Sequence, residues 1–192
     1  MSDLKARISL TAQGLFLSEG VEGVTMRRIA EGVGVSATAI YRHFRDKEEI
    51  LEEIIDAGLA SLSSYLRPAL EAKDPFQRLK GLIDAYLRFG LEQPRYFDLA
   101  FLVPGRVMHL PEELEHHSRA TFKLAVQQVA LCMEAGIFRK EDPIETTVYL
   151  WSTAHGLVML QRMNRLGDDK EKFSRLYKTT IERAIRGLRE KA

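Results

Sequence analysis

In 192 residues the chain has one cysteine, Cys132. That excludes an intrachain disulfide and any zinc site built from several thiolates. Charge of one sign is scarce as well. The 28 lysines and arginines stand against 27 aspartates and glutamates, a net of +1. A polycation that coats nucleic acid is excluded, as is an acidic tail protein, but a local basic face is not. Long apolar runs are missing too. The longest stretch without a formal charge, Thr146 to Gln161, holds Ser, Thr and His and falls short of the 18 or more apolar residues of a membrane helix. The opening MSDLKARISL carries Asp3, Lys5 and Arg7 in place of the apolar core of a signal peptide, so a cytoplasmic protein is expected. What remains, 45% hydrophobic and 29% charged residues, is the composition of an ordinary folded chain, long enough for one domain or two small ones.

Strand-like alternation is nearly absent, and helical spacing replaces it. Leu4, Ile8, Ala12, Leu15 and Phe16 form one stripe over about residues 3–19, stopped by Gly20. Thr25 caps a short helix with Met26, Ile29, Ala30 and Val33, and Ser36 caps a second that ends near Phe44. Asp46 with Glu49 is an Asp version of the capping box and opens a long helix that must end before Pro68. Asp74-Pro75 starts a helix to about Leu91, and Pro94 a short apolar piece ended by Pro104-Gly105. Pro111 starts a long helix closed by Gly136 in Schellman style. Asp142-Pro143 starts one to about Leu166, and the last helix covers 169–190. The expected fold is all-α, with about nine helices, no repeat and no long linker.

The two short helices joined by Gly34-Val35-Ser36, behind a supporting helix, form a helix-turn-helix. Ala30 allows close approach, Gly34 gives the turn its backbone freedom and Val35 fills the space between the helices. In the second helix Ile40 and Phe44 face inward at i, i+4, while Ala37, Thr38, Tyr41, Arg42 and His43 face outward, where a DNA major groove would lie. The run Thr25-Met26-Arg27-Arg28-Ile29-Ala30, then Gly34-Val35-Ser36, Ile40-Tyr41-Arg42-His43-Phe44 and Lys47-Glu48-Glu49-Ile50-Leu51, resembles the signature of the tetracycline-repressor (TetR) family without a gap. Trp151-Ser152-Thr153-Ala154-His155-Gly156 resembles the Trp-His-Gly motif of one C-terminal subtype of that family.

The resemblance implies a DNA-binding domain over 1–47 and a ligand-binding, dimerising helical bundle over 48–192. It implies a ligand-responsive regulator, most simply a repressor, that binds a palindromic double-stranded operator as a homodimer through its last two helices. Thr25 and Lys47 would contact phosphates at helix N-termini, Tyr41 would set its hydroxyl against the DNA backbone, and Arg27, Thr38, Arg42 and His43 would make base or phosphate contacts. Ser36 and Ala37 would complete that surface. The chemistry agrees, since hydroxyls and ammonium suit phosphate and arginine reads guanine bidentately. Residues 1–47 hold seven basic against five acidic groups, a net of +2, so placement rather than bulk charge carries the reading. In the second half, Phe97, Phe101, Phe122, Trp151, His155 and Met159 are the candidate ligand-binding residues, suited to an apolar or amphipathic effector. The same residues also fit a plain core, and His155 with Trp151 fits either a satisfied core pair or a polar anchor.

Other patterns carry less. Gly32-Val33-Gly34 follows no strand and has no third glycine, so it is not a dinucleotide loop. Glu112, Glu113, Glu115, His116 and His117 have metal-ligand spacing on a helix but no second helix repeats it, which favours a charged surface. Cys132 reads as a small core hydrophobe. The last helix's stripe of Phe173, Tyr177, Ile181, Ala184 and Leu188 serves equally a dimer interface or its own domain. No cofactor, metal site or catalytic set is expected, and so no enzyme. The competing reading is an all-α binding protein whose helix-turn-helix no longer meets DNA.

Overall fold

The computed structural model describes residues 3–102 and 120–189. Among them are nine α-helices and no strand, as the spacing predicts. The chain divides into two compact units, one of Met1–Leu62 with Arg95–Met108 and the other of Ser63–Pro94 with His109–Ala192. The boundary falls inside one continuous helix.

In the first unit, α1 (Asp3–Glu19) buries Ile8, Ala12 and Phe16. Beyond Gly20 and a 3-10 turn (Val21–Gly23), Thr25 caps α2 (Met26–Val33) by accepting the Arg28 amide at 3.3 Å. Gly34 then turns the chain at φ 77, ψ 38, a left-handed conformation that costs a residue with a Cβ about 1–2 kcal/mol. Ser36 caps α3 (Ala37–Tyr41) by accepting the Ala39 amide. The helix proper ends three residues before Phe44, yet the amides of His43 and Phe44 both donate to the Ile40 carbonyl, so the helical path persists. Asp46 accepts the Glu49 amide at 2.9 Å, which starts α4 (Lys47–Leu66). The return arm of that capping box differs from expectation: the Glu49 carboxylate reaches one residue further back, to the Arg45 amide at 2.8 Å. The core of this unit joins Ile8, Phe16, Ile29, Ile40, Phe44, Ile50 and Ile54 to Leu99 of α6 (Pro94–Phe101). Each such side chain removed from water contributes about 1.5–3 kcal/mol.

The second unit is built on α5 (Pro75–Glu92), α7 (Ala120–Glu134), α8 (Pro143–Arg162) and α9 (Lys170–Leu188), with a 3-10 segment (Arg67–Glu71) ahead of α5. Asp74, Asp142 and Asp169 cap α5, α8 and α9 through their side chains. At the end of α7 the Gly136 amide donates to Met133 and the Ile137 amide to Cys132, the paired bonds of a Schellman motif. The helix start expected at Pro111 and the turn at Pro104-Gly105 lie outside the described residues.

One expectation changes here, and one open alternative is decided. The helix from Pro143 ends at Arg162, before Leu166, because Asn164 takes a positive φ of 53. Its amide donates to Gln161 and that of Arg165 to Leu160, the same Schellman pattern with asparagine in place of glycine. In α9, Phe173, Tyr177, Ile181, Ala184 and Leu188 are all buried within their own unit, and Tyr177 donates its hydroxyl to the Ile83 carbonyl at 3.1 Å. That stripe is core.

Candidate functional site

The helix-turn-helix is held from behind and open in front. Ile40 and Phe44 are buried, while Ser36, Ala37, Thr38, Tyr41 and Arg42 are exposed, Tyr41 by 55%. Thr25, His43 and Lys47 are half-buried. Thr25 and Ser36 spend one oxygen lone pair each on their caps, fixing the helix ends that carry the exposed row.

The basic residues differ in what already holds them. Arg27 is almost wholly exposed on the surface and bonds Glu31 at 2.9 Å. Arg28 forks onto the Glu19 carboxylate, which that hydrogen bond holds below the ordinary carboxylate range. Arg45 pairs with Glu49 at 3.3 Å, and Arg7 donates to the Val33 carbonyl at 2.7 Å. Lys47 donates to the Val21 carbonyl at 3.1 Å, which places its ammonium beside the first turn of α4 and leaves two of its N–H donors for another acceptor. Arg42 has no intramolecular partner among the described residues. An exposed pair such as Arg27–Glu31 is worth well under 1 kcal/mol and yields readily to a phosphate.

In the second unit Phe122, Trp151 and His155 come together, joined by a residue that sequence reasoning missed. Tyr86 of α5 lies 2.7 Å from His155 Nδ1 and accepts the Trp151 indole N–H at 3.3 Å. An indole nitrogen only donates, so Trp151 takes one lone pair of the Tyr86 oxygen, and the imidazole tautomer sets the direction of the Tyr86–His155 bond. Burial holds the imidazole below its ordinary pKa, favouring the neutral ring. Burial likewise pushes the Tyr86 hydroxyl above the ordinary tyrosine value. The Phe122 ring stands edge-on to Trp151 at 6.0 Å. Met159, one turn after His155, is half-buried. No local spacing could reveal Tyr86, which lies 69 residues from its histidine.

Phe97 and Phe101 pair with each other at 4.9 Å in the first unit, where Phe97 is fully buried. Cys132 is buried and its thiol is pushed up to about 11 by burial, as befits a core residue. Glu112, Glu113, Glu115, His116 and His117 lie outside the described residues. Among the described residues no helix is long and apolar enough to cross a membrane.

Comparison with known proteins matches both units. Residues 10–54 fit the model of bacterial regulatory proteins of the tetR family, and residues 79–184 fit that of the tetracyclin repressor-like C-terminal domain. The HTH-type transcriptional regulator SAR2658 of Staphylococcus aureus (strain MRSA252) is 40% identical over 142 residues, covering 74% of this chain and 71% of that protein. The HTH-type transcriptional repressor KstR2 of Mycobacterium tuberculosis is 33% identical over 75 residues, 38% of each chain. The match thus spans little more than a third of KstR2. A solved structure of a protein of unknown function from Rhodococcus sp. RHA1 shares the fold with a TM-score of 0.79 at 23% identity, covering 99% of this chain and 97% of that one. With a helix-turn-helix matched in one unit and more than half of the chain matched by the C-terminal domain, this protein belongs to the TetR family of bacterial regulatory proteins.

Proposed function

We propose that the chain is a ligand-responsive transcriptional repressor that grips a palindromic operator as a homodimer and releases it when a small apolar or amphipathic effector binds. The observation that carries this is the exposed row Ser36, Ala37, Thr38, Tyr41 and Arg42 on a helix whose other face, Ile40 and Phe44, is locked in a core. A rigid recognition helix needs that combination, since base contacts are made by side chains whose backbone does not move. Arg42 would reach the bases, and Arg27, Thr25, His43 and Lys47 the phosphates or base edges. Residues 1–47 act as the reading module and 48–192 as the effector and dimer domain, the latter of the Trp-His-Gly subtype through Trp151, His155 and Gly156. Its effector contacts are Phe122, Trp151, His155 and Met159.

One recognition helix covers a few base pairs, so specificity asks for two, on half-sites about 34–36 Å apart. The surface of the last two helices supports such a pairing. Tyr149 and Leu160 on α8, Met163 just past its end and Leu176 on α9 are large apolar side chains left exposed, with Ser152 and Gly156 beside them on α8. Because α4 belongs to both units, it is the element through which the effector shifts the DNA-binding population. The effector must bind the released conformer more tightly, and DNA weakens effector binding by the same factor.

Selection from random duplex DNA, with the winners titrated at several salt concentrations, tests the reading. An enriched palindrome, with log affinity falling linearly against log salt, is expected. Arg42→Ala with Lys47→Ala should cost roughly tenfold or more in affinity and lower the salt slope by about one per lost phosphate contact. Absence of any enriched sequence, in protein stripped of co-purified ligand, would point instead to a binding protein that does not read DNA.

A further inference from the structure

The turn of the helix-turn-helix hangs on one peptide plane. Gly34 has no Cβ to restrict it, so the direction in which α3 leaves α2 must be set by what holds the backbone there. The Val33 carbonyl and the Gly34 amide belong to the same planar unit. The Gly34 amide donates back to the Ala30 carbonyl at 2.9 Å, and the Val35 amide to the same oxygen at 3.0 Å. The Val33 carbonyl is one of the last four of α2, for which the helix itself has no amide. Arg7 of α1 supplies the donor, its Nη2 reaching the Val33 oxygen at 2.7 Å. A second contact fixes the same place: a Cβ built on Gly32 would lie 2.7 Å from Thr11 Cγ2, one turn after Arg7 on α1. α1 is in turn tied to α4, where Glu53 pairs with Lys5 at 2.8 Å and accepts the Ser9 hydroxyl.

We infer that Arg7 is a positioning residue for DNA reading: by pinning the Val33–Gly34 peptide to α1, it fixes the angle at which α3 is presented. A cation suits the task. Its hydrogen bond to a carbonyl is stronger than that of a neutral donor, and its charge complements the partial negative charge at the C-terminus of α2. Arg7 has no carboxylate partner among the described residues, so no anion of the domain competes with Val33 for it. Base contacts require the reading side chains to be held within about 0.5 Å. Phosphate contacts carry no sequence information and are made by long, adaptable side chains. Loss of Arg7 therefore weakens the reading of sequence and spares the sequence-independent grip. The inference rests on the proposal that the exposed row of α3 reads DNA.

Two duplexes test it: the palindrome recovered by selection, and one of the same length and composition in scrambled order. Arg7→Met keeps an apolar stem and removes every donor. Its affinity for the palindrome should fall by about tenfold, the effect of one lost hydrogen bond to a charged group. Its affinity for the scrambled duplex, and its slope of log affinity against log salt, should stay as in the wild type. Arg7→Lys, which restores a cationic donor, should recover part of the loss. A variant that keeps the wild-type ratio of the two affinities would overturn the inference and leave Arg7 a stabiliser of the domain only. A salt slope lower by about 0.9 per protomer would overturn it differently, making Arg7 a phosphate contact. Should Arg7→Met fail to fold by circular dichroism, Arg7→Gln, whose chain is too short to reach Val33, decides by the same ratio. If selection on the wild type recovers no sequence, the DNA-reading proposal and the inference fall together. A wild type that discriminates, beside a variant that does so equally well, sinks the inference alone.

Discussion

At the scale of single residues, His155 has the most to say about conditions. Its imidazole is half-buried, shares a hydrogen bond with the Tyr86 hydroxyl through Nδ1 and is held by burial below the ordinary value of about 6.5. As pH falls through that value the unfolded chain takes up a proton before the folded one does. The contribution of His155 to stability is therefore whole above about pH 6.5–7 and is lost progressively below it. The thermal midpoint of the wild type should fall more steeply between pH 7.5 and 5.5 than that of His155→Gln, whose amide oxygen can still accept from Tyr86. Parallel slopes would show that the ring does not titrate with folding. The sequence makes His155 and Trp151 visible as a helical pair, but not what satisfies them. Tyr86 comes from another helix, and nothing in the residues around it distinguishes a hydroxyl that meets a histidine from one that meets water.

Among the elements, α4 and α6 approach more closely than side chains allow anywhere but at a glycine. A Cβ built on Gly58 would lie 2.7 Å from the Ala100 amide nitrogen and 2.8 Å from the Leu99 Cβ. The obstacle is partly backbone, so relief requires the two helices to separate. Gly58→Ala should destabilise by about 1–3 kcal/mol through this overpacking, read as a lowered urea midpoint. An unchanged midpoint would mean that the contact opens freely. The ends of these elements, by contrast, were legible from local chemistry. Thr25, Ser36, Asp46, Asp74, Asp142 and Asp169 each cap the helix their position announces, because a side-chain oxygen two or three residues from an orphan amide needs nothing distant to find it. The end of α8 was misjudged for a local reason too: asparagine tolerates the left-handed turn at Asn164 that glycine usually makes.

For the molecule as a whole, the proposed assembly rests on the surface of the last two helices. The α9 stripe that periodicity offers as an interface is spent on the unit's own core, and the exposed apolar residues are instead Tyr149, Leu160, Met163 and Leu176. Leu160→Glu with Met163→Glu places charges on that face while leaving the core untouched. Sedimentation should then show monomers where the wild type shows dimers, with operator binding weakened by at least tenfold as the second half-site is lost. A dimer that survives both changes would move the interface elsewhere. Net charge gives no help at this scale, since +1 over the chain leaves each basic residue's role to its own setting.

The sequence by itself determined the all-α class, the helix ends among the described residues to within a few residues, the helix-turn-helix with its inward Ile40 and Phe44, and the family. All of these are written in periodicity, caps and turns that act over a few residues. Tertiary structure alone decided which apolar stripe became core and which stayed on the surface, that Tyr86 completes the Trp151–His155 pair, that Gly58 marks a close approach, and that Gln128 Oε1 and Arg78 Nε are buried without a partner among the described residues. These depend on which distant faces meet. Helical periodicity says that a face is apolar or that a polar group lies on it, while the identity of its neighbour is set by the packing of elements tens of residues apart.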